Sequence, residues 1–74
     1  MLFICYFKIK ELRIKNSLTQ EELAHKIGVS QGYLSLLEQN DKDKIAGLTV
    51  KIIYRIANTL NVTIPELIEF DKND

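Results

Sequence analysis

The chain has 74 residues and a mass of 8.6 kDa, room for one small domain and too little for a two-domain enzyme. Apolar residues make up 46% and charged residues 27%, which excludes a disordered chain and fits a folded globular one. Ten Lys and Arg against ten Asp and Glu give zero net charge, removing the simplest argument for a nucleic-acid partner, a strongly basic chain.

The balance is uneven along the chain. Residues 1–15 hold Lys8, Lys10, Arg13 and Lys15 against Glu11, a net +3, so the remaining 59 residues carry −3. One cysteine and one histidine make neither an internal disulfide nor a zinc site. No metal or cofactor is expected, and the setting reads as reducing and cytoplasmic. The apolar start, Leu2 to Phe7, stops at Lys8. It is too short for a membrane span and lacks the basic lead-in and cleavage site of a signal peptide, so no membrane partner is expected.

Helix signals dominate the elements. Cys5, Ile9 and Leu12 recur at helical spacing, predicting a first helix from about Phe7 to Lys15, ended by Asn16-Ser17. Thr19 followed by Glu22 is a capping box opening a second helix, with Leu23, Ala24 and Ile27 buried and Gly28 as terminator. Ser30 caps a third helix running to about Gln39, with Leu34 and Leu37 facing inward. Asn40 to Gly47 reads as a loop. Thr49 caps a fourth helix whose Val50, Ile53, Ile56, Ala57 and Leu60 share one side. Thr63 and Glu66 form a second capping box with Pro65 in the first turn. The fifth helix this opens should hold Leu67 and reach Phe70, before a fraying tail from Asp71 to Asp74. The predicted core is Ile9, Leu12, Leu23, Ala24, Ile27, Leu34, Leu37, Val50, Ile53, Ile56, Leu60 and Leu67, in five helices and no strand.

The string Leu18 to Glu38, LTQEELAHKIGVSQGYLSLLE, resembles the helix-turn-helix of the Cro and phage-repressor (Xre-type) family, and Ile56 to Leu67 resembles that family's closing helices. The resemblance implies an all-α, five-helix, lambda-repressor-like DNA-binding domain over residues 1–74, with the helix-turn-helix at about 19–39. The implied function is a small sequence-specific transcriptional regulator, a repressor bound as a homodimer to a palindromic operator on double-stranded DNA.

The same resemblance implies residue roles. Gln31 would read a base edge, its amide suiting adenine, with Gly32, Ser35 and Leu36 as the other base-reading positions. Leu36 stands where a polar or basic residue is usual; it would either press a thymine methyl or be covered by protein. Gln20 would contact a phosphate, as would Ser30, Tyr33, Gln39 and Asn40. Lys42 and Lys44 join them from a loop longer than is usual, although Asp41 and Asp43 alternate with them. Arg13 and Glu38 match a structural ion pair. The dimer interface is placed on the fifth helix and the end of the fourth, through Ile64, Ile68 and Phe70, with the apolar stretch Leu2 to Phe7 as the alternative.

No Gly-rich phosphate loop, carboxylate pair or metal-spaced cluster stands out, so an enzyme is not expected. Zero net charge, Leu36 at a reading position, and surplus apolar residues at Leu2, Phe3, Ile4, Phe7, Ile14 and Ile52 feed a rival reading. In it the fold is a protein-interaction module, an antitoxin or a regulator's partner, with weak or no DNA binding.

Overall fold

A computed structural model describes the backbone of residues 2–73 and the side chains of residues 6–70. Strand β1 (Leu2–Phe7) leads into α1 (Ile9–Lys15), α2 (Gln20–Ile27), α3 (Gln31–Glu38), α4 (Lys42–Ala46), α5 (Val50–Thr59) and α6 (Ile64–Leu67). Strand β2 (Ile68–Asn73) then pairs antiparallel with β1, from Phe7 opposite Ile68 to Leu2 opposite Asn73.

The helix starts are local in origin. Thr19 and Thr63 accept from the amides of Glu22 and Glu66 while those glutamates return a bond to the threonine amides, at 2.8 and 2.9 Å. Ser30 and Thr49 accept from Tyr33 and Ile52 amides in the same way. Each cap satisfies donors that a helix start leaves unpaired. The ends share a device too. Ser17, Gly28, Asn40 and Asn61 take left-handed φ values between 56° and 77°. The amide following each returns to a carbonyl five residues back, as Val29 does to Ala24 at 3.0 Å. At Gly28 a side chain would meet both this strained backbone and the Arg55 guanidinium, 3.4 Å from a Cβ built there.

The core gathers Phe7, Ile9, Leu23, Ala24, Ile27, Leu34, Leu37, Ile56, Ala57, Leu60 and Leu67, with Leu12 and Ile53 half-buried against it. Val50 departs from the expected set at 77% exposure. It opens α5 about 120° round the helix from Ile56, on the side shared with exposed Tyr54.

The helical frame is the expected one; the expectation of five helices and no strand is corrected. Phe7 and Cys5 belong to β1, not to the first helix, because Phe7 is extended and its ring enters the core. The Asn40 to Gly47 stretch contains α4, which Asp41 caps by accepting from the Lys44 amide at 3.1 Å. After the capping box, α6 lasts only four residues, and Ile68 turns extended at φ −107° and ψ 137°. The tail expected to fray is strand backbone as far as Asn73, while Asp74 and the Cys5 side chain lie outside what is described.

Leu23 is fully buried, so Leu23→Ala is expected to lose about 2 to 5 kcal/mol in urea denaturation. The capping-box carboxylates of Glu22 and Glu66 are held below the usual glutamate range, first by the Thr19 and Thr63 amides and then by the threonine hydroxyls. Their stabilisation is complete above the ordinary value of about 4.3 and fades as pH falls through the lowered values. The melting temperature should drop in that acid window. The variant E22Q/E66Q, which keeps the accepting oxygens, should show a flatter acid dependence.

Candidate nucleic-acid interface

Helices α2 and α3 meet at the Gly28 turn and form the helix-turn-helix. Their relative position is set by one connected set of side chains. Arg13, in the last turn of α1, presents Nε and Nη2 to the two carboxylate oxygens of Glu38 at 2.6 and 3.2 Å, and its Nη1 donates to the Leu18 carbonyl at 2.9 Å. The pair is 12% and 3% exposed, which places it in the buried regime, where planar two-point geometry and further hydrogen bonds are required.

The set continues outward. Gln20, the first residue of α2, donates from Nε2 to Glu38 at 3.1 Å and accepts at Oε1 from Gln31 Nε2 at 3.2 Å. Gln31 and Glu38 are seven residues apart, two turns along one side of α3, so Gln20 ties the start of that helix to its end. Gln31 is exposed, and the bond to Gln20 leaves its Oε1 and one amide hydrogen for an outside partner.

The other candidate residues fall into three groups. Gly32 is exposed with open space where a Cβ would stand, and Ser35 and Leu36 are half-buried on α3. Ser30 spends its hydroxyl on the Tyr33 amide at 3.1 Å, Tyr33 is half-buried against the core, and Gln39 donates to the Ser35 hydroxyl at 3.4 Å. Lys42 and Lys44 are exposed on α4.

Asn40 is engaged within the chain: its carboxamide accepts from the Phe7 amide at 2.6 Å and donates to the Phe7 carbonyl at 3.1 Å, which leaves one amide hydrogen, as on Gln20. The expected dimer surface on the fifth helix is redrawn. Ile64 lies on α6 and Ile68 on β2, both packed on their own core, and Phe70 on β2 is 62% exposed, so the three share no helix face. Sequence reasoning missed the role of Gln20 as a bridge, because a residue at a helix start carries no mark of a partner on another helix.

A family profile described as helix-turn-helix matches residues 9–67. The chain belongs to that family. An HTH-type transcriptional regulator of Archaeoglobus fulgidus is 34% identical to it over 67 residues, covering 90% of this chain and 89% of its own. Among solved structures, the master regulator for biofilm formation SinR in complex with DNA is similar at a TM-score of 0.67 and 28% identity, over 78% of this chain and 87% of that one. SinR in its complex with the SinI protein is similar at 0.68 and 27%, over 80% and 54%. Among the described residues no cluster of three or more His, Cys, Asp or Glu is placed to hold a metal, and no helix is long and apolar enough to cross a membrane.

The ion pair has a direct test. Removing either Arg13 or Glu38 should cost about 3 to 5 kcal/mol by stranding a buried charge. A double-mutant cycle of Arg13→Met and Glu38→Gln, read by denaturation, should show coupling of about 1 kcal/mol or more.

Proposed function

We propose that this helix-turn-helix protein is a sequence-specific DNA-binding transcriptional regulator, a repressor that acts from the cytoplasm by occupying a palindromic operator as a symmetric dimer. The observation that carries the reading is the exposed amide of Gln31 at the start of α3, held by Gln20 with an acceptor and a donor left over. That pair of groups matches the N6 and N7 edge of adenine in the major groove. The DNA-bound SinR structure supports the same use of a similar fold. Gly32, Ser35 and Leu36 would line the base edges beside Gln31. Ser30, Tyr33, Gln39, Lys42 and Lys44 would meet the phosphates, with the remaining amide hydrogens of Gln20 and Asn40. The chemistry is binding, and no catalytic step or cofactor enters it.

A second reading is favoured by the half-buried Leu36 at a reading position and by zero net charge. In it the fold serves chiefly to bind protein; one of the similar structures is a complex of SinR with the SinI protein. Selection of duplexes from a random DNA pool at two salt concentrations separates the two. A reader enriches a palindrome at both salts, and a protein-binding module enriches nothing.

Within the DNA reading, Gln31→Ala should lower specific affinity by about 1 to 3 kcal/mol and relax preference at one base pair per half-site. Gln20→Ala should weaken all sequences, and loosen that base pair only by releasing Gln31. Equal, sequence-independent losses from both variants would overturn the assignment of Gln31.

A further inference from the structure

The direction of hydrogen bonds fixes which backbone groups of β1 face outward. The Lys8 amide donates to the Leu67 carbonyl at 2.9 Å, so that pair closes inward on the ribbon. One residue earlier, Phe7 turns both its amide and its carbonyl to Asn40, away from β2. Antiparallel ladders alternate, so Tyr6, Ile4 and Leu2 bond inward to β2 while Cys5 and Phe3 direct their backbone groups outward. The sheet has two strands among the described residues, and no third strand lies on this edge.

We propose that the β1 edge is where a second copy of this chain docks, strand against strand and antiparallel, with the two-fold axis at Ile4 and Phe3 opposite Cys5 of the other copy. The result is one four-stranded sheet shared by two subunits.

Three observations select this occupant and this register. The Asn40 carboxamide fills the outward groups of Phe7, so among the described residues an added strand finds Phe3 and Cys5. These two flank Ile4 symmetrically, as pairing of a strand with itself requires. Charge discriminates between the two edges. Positions 2–7 hold no charged residue, whereas β2 carries Glu69 and Asp71. Every self-pairing of β2 that engages two or more of its outward positions, Ile68, Phe70 and Lys72, sets an acid opposite an acid, which destabilises such a pair. Uncharged free edges are templates for pairing, and a two-stranded ribbon is marginal in water until further strands join it.

The inference deepens the dimer of the proposed function and rests on that reading, but its test needs no DNA. The wild-type chain should sediment as a dimer at tens of micromolar. Phe3→Pro removes an outward amide and leaves the inward ladder whole. It should sediment as a monomer with an unchanged helical circular-dichroism spectrum. In the Phe3→Cys variant the new thiol faces native Cys5 of the other copy, in a hydrogen-bonded pair with Cα atoms about 5.5 Å apart, within disulfide range. Mild oxidation should give a covalent dimer, whereas wild type and Phe3→Cys/Cys5→Ser should give none. A monomeric wild type, a Phe3→Pro dimer, a Phe3→Cys variant that does not cross-link, or a Cys5 to Cys5 cross-link in wild type would each overturn the pairing. Binding to a half-site duplex is read separately. A monomer that still binds it sinks only the edge pairing, and a dimer that binds no duplex sinks only the DNA reading.

Discussion

The placement of α3 depends on a carboxylate taken out of water. Glu38 is nearly inaccessible, and a bare carboxylate there would cost several kcal/mol. Three donors meet it instead, two from the Arg13 guanidinium and one from Gln20. Because the guanidinium is planar and its fork rigid, α1 and α3 can satisfy this charge in few relative positions. An eight-residue helix has little stability of its own, so its orientation is inherited from such contacts and from Leu34 and Leu37 in the core. The ion pair also sets the sense of the Gln20 amide. Its nitrogen must point at Glu38, which turns its oxygen toward Gln31, and a buried charge thereby determines which groups the exposed glutamine has left to offer.

What could be read from the sequence was mostly local. The caps at Thr19, Ser30, Thr49 and Thr63 lie within three residues of their partners, and the spacing alone identifies them. The pairing of Arg13 with Glu38 crosses 25 residues and was legible only through the family resemblance. The ribbon was misread for two different reasons. Ile68, Glu69, Phe70 and Asp71 alternate apolar and acidic, a period-two signal, but the capping box just before them argues for a longer helix. Leu2 to Phe7 is apolar throughout, and such a run does not separate strand from helix without a partner in view. Asn40 reads as a loop residue, since its partner at Phe7 lies 33 residues away.

The candidate reading surface is sparse. Gly32 contributes backbone only, Leu36 is half-covered, and Gln31 is the polar side chain most fully presented. In the proposed function, a surface with so few base-reading groups would gain discrimination from repetition under symmetry and from the shape of the duplex, rather than from a dense set of contacts in one groove. Zero net charge fits the proposed function in this respect, because anchoring would then come from where cations sit, such as Lys42 and Lys44 on α4, and not from a field of one sign.

The ribbon joins segments that are made at opposite times. Leu2 pairs with Asn73, whereas α1, α2 and α3 close their mutual contacts by Glu38. During synthesis β1 therefore emerges long before the strand that completes it, as an uncharged segment with both edges open. Asn40 arrives midway. Its carboxamide gives Phe7 one donor and one acceptor, the same pair a neighbouring strand would give, as soon as α3 is finished. The Asn40 side chain, two residues past α3, thus closes one edge of β1 at Phe7 before the β1–β2 rungs, of high sequence separation, form on the other edge.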